Sequence, residues 1–295
     1  MSSIALRPAR FVTFLAAACL AAASSSTFAQ TSEHEWQKQY SLSGKPSLTL
    51  ETGDSSVDIR SCGDCKTMHI HVETGLNLDK YRLEEHQEQD HIFFTFKERP
   101  GLHINFKPNP GPKVTIETPT QLDLDARTSD GSFTASQLTG DIQVHSSDGS
   151  MTLDDLHGDL RLNSSDGSIH LHNASGSLEA RSSDGSMKID GQFNSVQLHT
   201  SDGTLDFALN PGSKLTSASR IESSDGKVAI RLPQNLAADL DVSTGDGRLN
   251  CTLPLTMDNY SSEKSGGHHL HGHLNAGGTP LSIHTSDGSV SITAL

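Results

Sequence analysis

Apolar and polar residues alternate strictly over much of this chain. Around Asp166, Leu160 and Leu162 alternate with Asp159, Arg161 and Asn163; past the turn, Ile169 and Leu171 alternate with His170 and His172. A period of two is the mark of a half-buried strand. The unit repeats. Turns of the form Thr/Ser-Ser-Asp-Gly-Ser/Thr place Asp130, Asp148, Asp166, Asp184 and Asp202 18 residues apart, each followed by a glycine: Gly131, Gly149, Gly167, Gly185 and Gly203. Looser copies follow at Asp225-Gly226, Asp246-Gly247 and Asp287-Gly288.

Four apolar columns run through the regular copies. Before the turn stand Leu124, Ile142, Leu160, Leu178 and Val196, then Ala126, Val144, Leu162, Ala180 and Leu198. After it stand Phe133, Met151, Ile169, Met187 and Leu205, then Ala135, Leu153, Leu171, Ile189 and Phe207. One such coil cannot enclose a core, but stacked coils bury a continuous one. The expected fold is therefore all-β: a single-chain β-solenoid of 18-residue coils, each about 4.8 Å above the last. A hairpin meander or sandwich is the competing arrangement. Asp-Gly between strands predicts tight turns with positive backbone angles at the glycines.

Three regions flank or interrupt this pattern. Residues 30–113 alternate less regularly and are read as an N-terminal β cap, with a Pro/Gly-rich loop from Pro100 to Pro112. Residues 114–295 carry the repeats, with a polar, His-rich insertion at 258–273 read as a mobile loop. Residues 1–29 combine Arg7 and Arg10, an apolar run from Phe11 to Ala23 and a small-residue exit at Thr27 and Ala29. That is the layout of a secretory signal peptide. Cys19 after three alanines offers lipoprotein processing as a minor alternative. No later apolar stretch approaches the length of a membrane span. A secreted or periplasmic protein is expected.

The formal net charge is −14. Such a surface repels phosphate backbones, which argues against a nucleic-acid partner. In an oxidising compartment Cys62 and Cys65 are expected to form a disulfide at a hairpin tip, leaving Cys251 as a buried small apolar residue, with a free reactive thiol as the alternative. Metal or redox chemistry is the alternative for the Cys62-Gly-Asp-Cys65 spacing.

The Thr/Ser-Ser-Asp-Gly-Ser turns, together with Val-Thr-Ile-Glu-Thr-Pro at 114–119, Arg231-Leu-Pro233 and the ending from Gly272 to Ile292, resemble the bacterial DUF4097 family of β-strand-repeat, adhesin-like envelope proteins. The resemblance implies a β-solenoid exported to, or attached at, the cell envelope. It brings no catalytic residues. The Cys pair and the His-rich insertion depart from the family pattern.

Candidate chemistry is sparse. Carboxylates one coil apart repel by about 1–3 kcal/mol at effective dielectrics of about 80 to 20. Local N–H and hydroxyl donors are expected to offset this at each turn aspartate. Calcium between coils is the sharper alternative, but it needs six to eight oxygens. His268, His269, His271 and His273 are candidate ligands for a zinc-like ion, against a solvated loop. No nucleophile elbow, zinc-protease helix, phosphate loop or cofactor motif is present. The expected function is a non-enzymatic interaction surface, adhesin-like or scaffolding, for an unidentified envelope protein or polysaccharide. The alternatives are a carbohydrate-active enzyme on the same scaffold, or a metal-binding envelope protein using the histidines.

Overall fold

The computed structural model describes residues 29–101, 111–262 and 267–295. Cys19, almost all of the expected signal peptide and most of the Pro/Gly-rich segment lie outside the described residues. The fold is a β-solenoid. Four 14-residue strands, Phe133–Ser146, Met151–Ser164, Ile169–Ser182 and Met187–Thr200, pair in parallel, with Phe133 opposite Met151 and Met151 opposite Ile169. Each partner is one 18-residue repeat away. Every residue of the four apolar columns is at most 2% exposed. Burial accumulates between two ladders of strands, one preceding and one following each Asp-Gly turn.

Each long strand bends from one ladder to the other at a second corner. Gln137, Asp155 and Asn173 occupy the left-handed region there, at φ 59°, 55° and 52°. Asn and Asp tolerate that region better than most side chains. Gly158 and Gly176 follow at φ 122° and 117°. Leu138, Leu156 and Ala174 turn inward at this corner and add a column that simple alternation does not reveal.

The Asp-Gly turns are built differently from expectation. None of their glycines has a φ in the left-handed range. Their role is close approach: a Cβ on Gly167 would lie 2.2 Å from the carbonyl oxygen of Gly149, in the coil beneath. The turns also bond directly to one another. Asp166 N donates to Ser147 O at 3.0 Å, and Asp184 N donates to Ser165 O at 3.1 Å. The first residue of each motif points inward; Ser146, Ser182, Thr200, Thr244 and Thr285 are buried hydroxyls under the turns. Ser146 Oγ donates to Gly149 O at 2.9 Å.

The coils do not stack in chain order. Ser219–Ser223 pairs in parallel with Thr279–Thr285, which in turn pairs with Ala238–Thr244. On the other ladder Val228–Leu232 pairs with Val290–Ala294, which pairs with Leu249–Cys251. The last coil in sequence is thus inserted between two earlier ones. The other end mirrors this. Ser47–Thr52 and Ser56–Ser61 form a complete coil that pairs upward with Asp123–Thr128 and Phe133–Ser146. It pairs downward with His91–Glu98 and Lys113–Thr118. Coils therefore begin well before residue 114, and the cap is smaller than residues 30–113.

Antiparallel strands close both ends. Thr67–Glu73 lies against Lys113–Thr118, and Glu35–Ser41 against Thr67–Glu73. Trp36 packs on Phe94 with ring centroids 5.4 Å apart, covering the end of the core. Reversing strand direction terminates a parallel stack and limits its open edges.

Cys62 and Cys65 are joined in a disulfide. The strands on either side, Ser56–Ser61 and Thr67–Glu73, are not a hairpin. Both pair with Lys113–Thr118, one parallel and one antiparallel, so the disulfide ties the loop that carries the chain across that strand. Cys251 is half-buried, and burial pushes its thiol above the usual range. A non-reduced, folded chain beginning at Gln30 is expected to show one slowly reacting thiol, at Cys251. Rapid labelling at Cys62 or Cys65, read by peptide mass spectrometry, would refute the bond. Because the closed loop is short, Cys62→Ser/Cys65→Ser is expected to cost no more than about 2 kcal/mol.

Candidate functional site

Two surface features emerge from the repeat geometry. The first is an acidic ridge. Asp130, Asp148, Asp166, Asp184, Asp202, Asp225, Asp287 and Asp246 follow one another along one edge of the stack, all exposed. Their backbone amides hold the coils together, as from Asp202 N to Ser183 O at 3.0 Å. Among the described residues their carboxylates make no hydrogen bond or ion pair, contrary to the local bonding expected of them. The fold uses the main chain of these residues and leaves the side chains to solvent.

The flanking outward columns are polar but largely self-neutralised. Arg161 pairs with Asp141 at 2.8 Å, Arg127 with Asp125 at 3.1 Å and Arg231 with Asp206 at 2.9 Å. Arg181 pairs with Glu179, and His172 with Asp190 at 2.7 Å. The hydrogen bond to Asp190, which accepts, raises the His172 imidazole above its ordinary value. Exposed pairs of this kind contribute little stability each; the eight ridge carboxylates have no such partner among the described residues.

The second feature is the histidine strand. His268, His269, His271 and His273 do not lie in a mobile loop. They belong to the strand His268–Leu274, which is antiparallel both to Ala238–Thr244 and to Leu255–Ser262. Leu270 and Leu274 face the core at 4% exposure each, so His269, His271 and His273 alternate outward. The alternation was present in the sequence, but the polar residues around it masked the two leucines. His269 Nε2 lies 2.9 Å from Asp241 Oδ1, and His273 Nδ1 lies 2.7 Å from Asp239 Oδ1. The hydrogen bond to Asp239, and then the charge of Asp258, raise the His273 imidazole above its ordinary value. His268 and His269 line an open hollow with Ser243, Gly245 and His284. Among the described residues, no three His, Cys, Asp or Glu side chains are already arranged around a common ion position.

A further open hollow gathers two carboxylates, Glu35 and Glu73, and is lined otherwise by His34, Thr74, Lys113 and small residues, with no Trp, Tyr or Phe ring. Among the described residues no helix is long and apolar enough to cross a membrane.

A two-ladder β-solenoid with a repeated Ser-Asp-Gly edge defines the class of protein. The family model named Toastrack DUF4097 matches residues 44–293, and the chain belongs to that family. The match starts just before the coil formed by Ser47–Thr52 and Ser56–Ser61. No curated protein matches the chain. Three solved structures are similar over most of their length. A putative adhesin from Parabacteroides merdae shares 13% identity at a TM-score of 0.48, over 88% of this chain and 96% of that one. A putative adhesin from Bacteroides fragilis shares 9% at 0.36, over 89% and 98%. A putative cell adhesion protein from Clostridium sporogenes shares 12% at 0.27, over 88% and 99%. Similarity at this level carries no functional weight.

Proposed function

We propose that this protein is an exported, non-enzymatic β-solenoid that serves as an interaction surface at the cell envelope, adhesin-like or scaffolding. The observation that carries this reading is the acidic ridge. Eight exposed carboxylates recur along one edge of a rigid stack, and none is consumed by the fold. A row of like charges about 4.8 Å apart opposes its own assembly, so its repetition is better explained by something outside the chain. The ridge suits a basic segment of an envelope protein, reached through long-range attraction and released by salt. The signal-peptide layout of residues 1–29 supports export.

The test is capture of partners from envelope fractions by the protein beginning at Gln30, with sugar polymers screened in parallel. Capture of an envelope protein is expected, weakened by high salt and by Asp148→Asn/Asp166→Asn/Asp184→Asn. Absence of any captured partner, or capture indifferent to both salt and the triple substitution, would remove the basis for this reading.

A further inference from the structure

The histidine strand carries a site that the interaction surface does not require. On one side of it, the antiparallel register sets Asp239 opposite His273 and Asp241 opposite His271. On the other side the register slips between Met257 and Asn259, leaving Asp258 as the extra residue of a β-bulge. Bulges re-aim side chains. Here the bulge brings Asp258 Oδ2 to 2.9 Å from His273 Nε2 and 3.5 Å from His271 Nε2. Asp258 Oδ2 therefore lies between the Nε2 atoms of two histidines of the adjoining strand, on the outer face.

A second, independent arrangement stands behind them. The other nitrogen of His273, Nδ1, lies against Asp239 Oδ1, and that same oxygen accepts the Gly278 N–H at 2.9 Å. A carboxylate that fixes Nδ1 while Nε2 faces further donors is the outer support that metal-ligating histidines ordinarily have. It sets the ring orientation and keeps the Nδ1 proton directed at Asp239, so that Nε2 is the atom left to ligate once an ion displaces its proton. His269 is turned away toward Asp241 and takes no part.

We propose that His271, His273 and Asp258 bind one divalent transition-metal ion of the zinc class, with Asp239 as the residue that positions His273. Two imidazole nitrogens and one carboxylate oxygen match that class, whereas calcium and magnesium call for an oxygen shell. Ligands about 2.0–2.2 Å from a tetrahedral ion sit about 3.3 Å from each other. The 2.9 and 3.5 Å separations of Asp258 Oδ2 from the two imidazoles bracket that value. In the metal-free arrangement the side chains are drawn together as ion pairs, and rotation of the half-exposed His271 ring opens the space for the ion. Three protein ligands leave a fourth position for water or for a donor group of a bound partner.

The experiment is equilibrium dialysis of the full, untagged protein against zinc chloride alone, in a non-coordinating buffer at micromolar free zinc. One tightly bound zinc per chain is expected, and X-ray absorption should show two imidazoles and oxygen around it. His271→Ala and Asp258→Asn should each weaken binding at least tenfold. Asp239→Asn should weaken it by about 10–100-fold without removing a ligand. His170→Ala/His172→Ala should leave it unchanged. Zinc should also raise the melting temperature of the parent protein, since an ion bound only by the folded state stabilises it, and should not do so for His271→Ala. No saturable binding at micromolar zinc, or binding that survives His271→Ala/His273→Ala with the fold intact by circular dichroism, would show that the cluster is an ion-pair network and nothing more.

Discussion

Gly167→Val is expected to destabilise the stack by more than about 3 kcal/mol, while Asp166→Asn, one residue away, changes stability by no more than about 0.5 kcal/mol. The difference follows from what each residue touches. A Cβ at Gly167 would meet Gly149 O at 2.2 Å, Gly149 C at 2.7 Å and Asp148 O at 3.0 Å. All three are main-chain atoms of the coil beneath, held by turn hydrogen bonds such as Asp166 N to Ser147 O. No side-chain rotation relieves the collision; the coils themselves must separate. Asp166, in contrast, is exposed and contributes only its amide to the stack, which asparagine retains. Calcium or a chelator should leave both midpoints where they are, because each coil offers the ridge one carboxylate and calcium needs six to eight oxygens. Urea denaturation of the two variants, with hydrogen exchange at residues 165–167, reads the effect locally, since repeat stacks lose structure in segments. Equal midpoints for the two variants would mean that the turns are not in contact across coils.

Leu162→Asp is expected to prevent folding of the central coils. Leu162 is 0% exposed and lies in register with Val144 below and Ala180 above. The substitution removes burial worth about 2–5 kcal/mol for a leucine side chain. It also places a carboxylate among apolar groups with no partner, which costs more still. Together these approach the whole stability of an ordinary domain, about 5–15 kcal/mol. Leu162→Ala, at about 3 kcal/mol, gives a folded variant on which the same site can be measured. The neighbouring Arg161→Ala faces outward, loses only its pairing with Asp141, and should cost no more than about 1 kcal/mol. A slip of one residue exchanges the two faces. If Arg161→Ala proved the damaging change and Leu162→Asp the mild one, the strand register would be inverted.

Much of the candidate chemistry was visible as residues but not as geometry. The Ser-Asp-Gly turns announced themselves by spacing, yet the reason for glycine did not. The turn glycines are required by the coil beneath them rather than by their own φ, and no property of an isolated turn reveals that neighbour. The positive φ values belong to the opposite corner, at Gln137, Asp155 and Asn173, where the residue type varies and only the glycines three positions on, Gly140, Gly158 and Gly176, repeat. The turn carboxylates were expected to bond locally; instead the main chain bonds across coils and the side chains remain outside. The histidines drew notice by number, but Asp258 did not, because its position depends on a bulge formed only when two strands pair.

By itself the sequence determined the strands of the regular repeats, the 18-residue coil, four inward columns and the Asp-Gly turns. These follow from alternation and from glycine at fixed offsets, both local properties that any window of the regular repeats displays. Tertiary structure alone decided the order of stacking. Every coil presents nearly the same apolar face, so the pattern says which side is buried without saying against which coil. The antiparallel strands Leu255–Ser262 and His268–Leu274 cover Ala238–Thr244 on its outer side. The chain then returns to place its last coil between Ser219–Ser223 and Ala238–Thr244. At the other end the coil of Ser47–Thr52 and Ser56–Ser61 is likewise set between two that follow it in sequence. Which of several equivalent faces meet is settled by complementary packing and by where the connecting strands leave room, and those are properties of the assembled stack.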